Sequence, residues 1–351
     1  LVLFMVDTAH GGLGFDTKYA AAIYGLYTAG VYLAALPGGW VADRLLGARQ
    51  AVWYGGIVIA LGHLFLAIPA NETFFLGLVL VVVGTGLLKP NISAMVGQLY
   101  PEGGPRRDAG FTIFYMGINC GAFIGPLICS ALGEKINWHW GFGAACAGML
   151  LGLIQYRRSA RHLGQVGLTP GSSAHAVADA GAGHPSKRND WLLFFGGLGA
   201  IAAITGLSLA QVISFNPIFV AKYTTYLIVG LAAVYFAYAF LFAGLSGTEK
   251  KRVGVILILF IASAMFWSGF EQAGSSLNLF ADQHTFRTLR GWIIPTGWFQ
   301  SLNPLFLISL APVVATLWLM LARRNLNPSL PVKFALGLLL LGAGFLVMFG
   351  A

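Results

Sequence analysis

Charge is what this sequence has least of. Only 9% of its 351 residues are Asp, Glu, Lys or Arg, and 57% are hydrophobic. Soluble domains carry about 25% charged residues, so a soluble globular domain is excluded and an integral membrane protein remains, consistent with a mean hydropathy of +0.76. Negative charge is scarcer still, with 12 Asp and Glu against 21 Lys and Arg, for a net charge of +9. The excess falls mostly in short loops, where it reads as membrane topology and not as a nucleic-acid surface. The three cysteines, Cys120, Cys129 and Cys146, all lie in apolar runs. They suggest packing residues, with no disulfide framework and no metal-ligand spacing. No metal cluster, nucleophile triad or phosphate loop is present, so no cofactor is expected. An intramembrane aspartyl protease needs two mid-span acids, and only Glu271 qualifies.

What is abundant is long apolar sequence. Stretches of 18 or more apolar residues recur, each enough to cross a hydrocarbon core of about 30 Å. In lipid such segments must be helices unless they close into a barrel, so the predicted class is all-α. The expected spans are 19–41, 51–68, 74–99, 109–132, 138–156, 191–213, 224–245, 253–280, 297–321 and 332–349. Residues 1–6 have no charged leader region before them and read as the tail of a further span. Residues 165–190 are rich in Gly, Ala, Ser, His and Pro and cannot bury a core. The expected division is therefore an N-terminal bundle at 1–156, a flexible cytoplasmic linker at 157–190, an inserted helix pair at 191–248 and the start of a second bundle at 249–351. The basic clusters at Arg44/Arg49, Arg106/Arg107, Arg157–Arg161, Lys250–Arg252 and Arg323/Arg324 all fall on one side of this layout, the cytoplasm.

Two residues break the apolar runs in mid-span. Glu271 lies in FWSGFEQAGSSLNLFAD and Lys89 in GTGLLKPNISAMVGQLY. Insertion scales put a central charge at about 2.5–3.5 kcal/mol, so an intramembrane ionisable group is a functional hypothesis by default. Pro90 follows Lys89 and frees a backbone carbonyl, which is tolerated where a helix lines a cavity. Lys89 calls for an anion, either a side-chain carboxylate or a substrate's. Trp267 stands one turn from Glu271 and places its indole beside the carboxyl. Burial and a nearby cation act on a carboxyl in opposite senses, which suits a proton carrier; the carboxylate could equally hold an ammonium, or serve in a structural ion pair. Tyr115 and Asn119 share one helix face, either as substrate ligands or as inter-helix glue. Pro295, Pro304 and Pro312, with Trp298 and Asn303, indicate a broken, cavity-lining helix. Gly39, Asp43, Arg44, Gly47 and Arg49 form a G-x3-DR-x2-G-x-R turn in which glycine permits close helix approach and the charges can pair to hold one conformational state.

These motifs, in this order, resemble the proton-dependent oligopeptide transporter family, a branch of the major facilitator superfamily; the glycine-rich turn resembles that superfamily's signature loop. The resemblance implies two six-helix bundles about a central cavity, an extra helix pair between them, and import of di- and tripeptides with protons. It implies that Lys89 receives the peptide carboxylate, that Glu271 takes part in protonation and meets the amino group, and that both couple protons. Asn119 and Asn303 match positions that contact the peptide backbone, Tyr32 a cavity tyrosine, and Trp267 and Trp298 linings of side-chain pockets. An E-x-x-E-R motif in the first span and the last three spans are expected outside this chain, which would make it truncated at both ends. The expected location is a bacterial inner membrane, and the expected working unit a monomer. A nitrate or other anion transporter of the same family, or a non-transporting membrane protein, are the alternatives.

Overall fold

The computed structural model describes residues 1–168 and 187–350. They are helical almost throughout, as the composition requires. Eight of the helices are long and apolar enough to cross a membrane. The chain divides into two compact units, Leu1–Ile218 with Phe286–Pro304, and Phe219–Thr285 with Leu305–Ala351. Of the expected helix pair at 191–248, the first helix falls in the first unit and nearly all of the second in the second unit.

The first unit holds α1 (Val2–Val6), α2 (Thr17–Leu33), α3 (Ala35–Val41), a π-helical turn (Ala42–Leu46), α4 (Ala48–Leu66), α5 (Asn71–Gln98), α6 (Gly104–Lys135), α7 (Trp138–Ser159) and α8 (Lys187–Leu209). Asp16 starts α2 by accepting hydrogen bonds from the Lys18 and Tyr19 amides at 2.9 and 3.4 Å, an N-cap. The expected single span 19–41 is broken at Ala34, because Pro37 has no N–H with which to continue the ladder to Leu33. Helices α4 and α7 stand at expected spans but are not among the eight, because Arg49, Gln50 and His63 in one and His139 and Gln155 in the other lower their hydropathy. Of the supposed linker, Arg157 to Ser159 complete α7, Ala160–Leu163 form a 3-10 turn, and 187–190 open α8; residues 169–186 lie outside the described residues.

Lipid supplies no hydrophobic drive between helices, so association depends on close packing of small residues. The α4–α5 contact shows this directly. A Cβ at Gly55 would lie 2.7 Å from the Gly84 carbonyl oxygen, and one at Gly84 2.7 Å from that of Gly55. Gly62 and Gly77 repeat the arrangement further along, at 2.9 and 2.8 Å. At one end of the unit, the buried Phe4 ring meets Phe74, Trp138, His139 and Phe142 with centroids 5.1–6.3 Å apart. Asp7 ties the following loop to α7 by accepting from the His10 amide at 2.8 Å and the Trp138 indole at 3.0 Å. Burial pushes the Asp7 carboxyl up, but the hydrogen bonds from His10, Ala9 and Trp138 outweigh it and hold it below its ordinary value.

A second seam joins α6 to the segment Phe286–Pro304. That segment contains a two-residue hairpin between β1 (Thr288–Leu289) and β2 (Trp292–Ile293). Its turn residues Arg290 and Gly291 have φ of 50° and 81°, as a type I′ hairpin requires. A 3-10 turn (Thr296–Ser301) follows and leads into α12 (Leu302–Arg323). The Glu134 carboxylate accepts the Thr296 and Gly297 amides at 2.6 and 2.8 Å, with the Arg287 guanidinium 3.8 Å away. The Trp298 indole donates to the Leu127 carbonyl at 2.9 Å, and the Ser301 hydroxyl to that of Phe123 at 2.7 Å. Phe123, Leu127 and Glu134 follow one face of α6. A side chain at Gly297 would collide with Ser130.

In the second unit, α9 (Pro217–Leu241), α10 (Gly247–Phe270), α11 (Ser276–His284), α12 and α13 (Leu330–Gly350) carry the chain onward. A reciprocal Ser246–Glu249 capping box opens α10, satisfying two otherwise orphan amides. The expected continuous span 253–280 is interrupted: α10 ends at Phe270, Glu271–Gly274 form a 3-10 turn, and Ser275 at φ −126°, ψ −99° redirects the chain into α11. The carboxylate that breaks the apolar run therefore sits at a helix break.

Replacing Gly84 by Leu should overpack the α4–α5 seam and cost about 1–3 kcal/mol, seen as a lower melting temperature of the detergent-solubilised protein; an unchanged melting temperature contradicts the seam. Replacing Glu134 by Gln leaves an amide NH2 against backbone donors, at a cost of about 1–3 kcal/mol. The same melting measurement checks it, and a wild-type value would show that the carboxylate does not hold α6 to the Thr296 turn.

Candidate functional site

The Lys89–Tyr32 pair is the centre of the candidate site in the first unit. Helix α5 runs unbroken through Pro90, so the Gly86 carbonyl loses its usual donor. Lys89 is exposed, and its Nζ lies 4.4 Å from the centroid of the Tyr32 ring at the end of α2. At that range an ammonium is attracted to the ring face, while its remaining donors can meet an anion. The two residues singled out separately in the sequence are thus brought together.

Tyr115 and Asn119 share a face of α6, as their spacing predicts. The Asn119 amide donates to the Tyr115 carbonyl at 2.8 Å, which leaves the amide oxygen directed elsewhere as an acceptor. Tyr115 is 61% exposed. Trp298 lies in the Thr296 turn, held by the Leu127 carbonyl, with its ring 5.3 Å from Trp292. Asn303 is exposed in the first turn of α12.

Trp267 and Glu271 belong to the second unit. The Glu271 N–H still donates to the Trp267 carbonyl, so the one-turn relation read from the sequence survives the helix break. The Trp267 ring is 46% exposed and meets Phe270 edge-on at 5.3 Å.

The signature turn is built differently from the expectation in two respects. Gly39 is not the point of close approach, since a Cβ there meets open space; its neighbour Gly38 is, against the Gly86 carbonyl. Among the described residues Arg49 bonds to backbone: its guanidinium donates to the Gly164 carbonyl at 2.8 Å and its amide to that of Gly167 at 2.9 Å. Gly47, at φ 79°, presses on the same segment, where a Cβ would lie 2.8 Å from the Leu168 carbonyl. Asp43 and Arg44 occupy the π-helical turn between α3 and α4, a local form often found at functional sites.

Sequence reasoning missed Glu134 and assigned nothing to Asn91. Glu134 looked like an ordinary acid near the end of a span, and its partners are backbone amides 162 and 163 residues away, which no side-chain pattern signals. Asn91 was visible beside Pro90, but its buried position, 4% exposed, was not.

The sequence pattern of the POT family matches residues 49–349. The peptide transporter YePEPT of Yersinia enterocolitica is 44% identical over 357 residues, covering 99% of this chain and 68% of that protein. A di-/tripeptide transporter of Lactococcus lactis subsp. cremoris is 36% identical over 364 residues, covering 99% and 69%. Among solved structures, the peptide transporter POT in complex with sulfate superposes with a TM-score of 0.86 at 39% identity, covering 99% of this chain and 69% of that one. A POT family transporter in complex with a thioalcohol-conjugated peptide gives 0.82 at 35%, covering 100% and 72%. Together with the helical membrane fold and the ordered motifs, these matches identify a multi-pass membrane transporter, not an enzyme, of the major facilitator type: the chain belongs to the POT family.

Proposed function

We propose that the protein moves di- and tripeptides across the membrane together with protons, by alternating access, with Lys89 receiving the peptide carboxylate and Glu271 carrying the proton and meeting the peptide amino group. The observation that carries this reading is the exposed ammonium of Lys89 held 4.4 Å over the Tyr32 ring, on a helix with a proline in its interior. The ring orients the ammonium without neutralising it, so its charge remains available to a substrate anion. Tyr115 and Asn119 on α6, and Asn303 at the start of α12, offer backbone-length hydrogen-bonding groups for a peptide. Trp267 and Trp298 offer apolar surface for its side chains. The residues of the signature turn (Gly39, Asp43, Arg44, Gly47 and Arg49) act in gating, through the docking of Gly47 and Arg49 on residues 164–168. A structure of a POT family relative holds 5-aminolevulinic acid, a molecule with an amino group at one end and a carboxylate at the other, as in a short peptide. One copy of the chain is the proposed working unit, and the proton gradient its energy source.

A small inorganic anion is the second reading, favoured by the sulfate bound in another relative and by the suitability of a lysine for any anion. In proteoliposomes carrying the full-length protein, Lys89→Ala and Glu271→Gln should each reduce proton-driven dipeptide uptake to the level of empty vesicles. Undiminished uptake in both would refute the assignment. Unlabelled dipeptide should also displace labelled dipeptide where nitrate does not; the reverse order would establish the anion reading.

A further inference from the structure

The contacts beneath the Lys89–Tyr32 pair assign a role to Asn91, an inference that rests on the reading of Lys89 given above. Pro90 deprives the Gly86 carbonyl of its helical donor. That carbonyl is turned against Gly38 of α3, where any side chain would collide with it. Gly86 in turn approaches Ala34, and a Cβ there would lie 2.5 Å from the Ala34 oxygen. Backbone therefore meets backbone at Ala34 and at Gly38, in the residues directly after Tyr32. Asn91 closes the contact. Its side chain is buried, and its Nδ2 donates to the Leu87 carbonyl at 2.7 Å and to the Gly38 carbonyl at 3.2 Å. One amide group thus links the turn of α5 that carries Lys89 to the helix that continues from Tyr32. In an apolar medium no water replaces such donors when they are lost, and the two carbonyls would be free to drift apart.

We propose that Asn91 is a positioning residue: by bridging Gly38 and Leu87 it fixes α3 against the Pro90 turn of α5, and so holds the Lys89 ammonium over the Tyr32 ring in the place where it discriminates a substrate carboxylate. A residue of purely structural importance would weaken all substrates alike. A positioning residue weakens those that use Lys89.

The test compares binding of a dipeptide with binding of its C-terminal amide to the full-length protein in detergent, by calorimetry. Lys89→Ala should abolish the preference for the carboxylate form. Asn91→Leu, which keeps size and removes the donors, should cut that preference by about tenfold while the affinity for the amide form stays nearly constant. Combining the two substitutions should lower the preference no further than Lys89→Ala alone. Should Asn91→Leu fail to fold, Asn91→Ser retains a donor for the Leu87 carbonyl on its own helix and gives up the reach to Gly38; it should move the preference in the same direction. A preference lost in Lys89→Ala but retained in Asn91→Ser, or in Asn91→Leu with both affinities falling together, overturns the role of Asn91 alone. A preference retained in Lys89→Ala overturns the reading of Lys89 and this inference with it.

Discussion

The ammonium of Lys89 over the ring of Tyr32 is the interaction on which the first unit's arrangement converges. A cation on a bilayer-deep helix is costly unless it is given a partner or a wet cavity. A ring face is a partial answer: it attracts the charge and orients it, yet leaves it a cation. Holding a flexible lysine in that place requires α2, α3 and α5 to come close together. Close approach in lipid requires small residues, and they stand where the requirement is greatest, at Gly38 and Gly86, with the Gly55–Gly84 and Gly62–Gly77 pairs fastening α5 to α4. Pro90 and Asn91 exchange a helical hydrogen bond for an inter-helical one. The charge of Lys89 and the packing that supports it occupy consecutive residues.

The seam between α6 and the Thr296 turn answers a different need. The 3-10 turn that leads into α12 starts with its first amides, those of Thr296 and Gly297, pointed at the Glu134 carboxylate, the favoured arrangement at a helix N-terminus. Arg287 and Ser301 add to it from the same segment. This fastens the beginning of α12 to the first unit, while its remaining length belongs to the second.

Much of this was legible in the sequence, and the illegible part has physical causes. Hydropathy located nearly every long helix, and the cost of an intramembrane charge pointed to Lys89 and Glu271 without any structure. The carbonyl freed by Pro90 was foreseeable; that it would face Gly38 was not, because the pairing depends on where two distant glycines meet. Span 253–280 looked continuous because hydropathy averages over a window, whereas the break at Glu271 depends on how a few backbone groups bond. Gly39 was chosen over Gly38 as the close-approach residue because the motif has a fixed spacing, while the contact is set by the rotation of α3 against α5. Glu134 escaped notice because its donors are main-chain amides, which every residue but proline carries and no sequence pattern distinguishes.

The most direct measurement of the central claim is a structure of the full-length protein with a dipeptide bound. The account predicts the peptide carboxylate within hydrogen-bonding distance of Lys89 Nζ, with the Tyr32 ring still beneath the ammonium. A bound peptide whose carboxylate lies on other groups, with Lys89 turned away from it, would contradict the account.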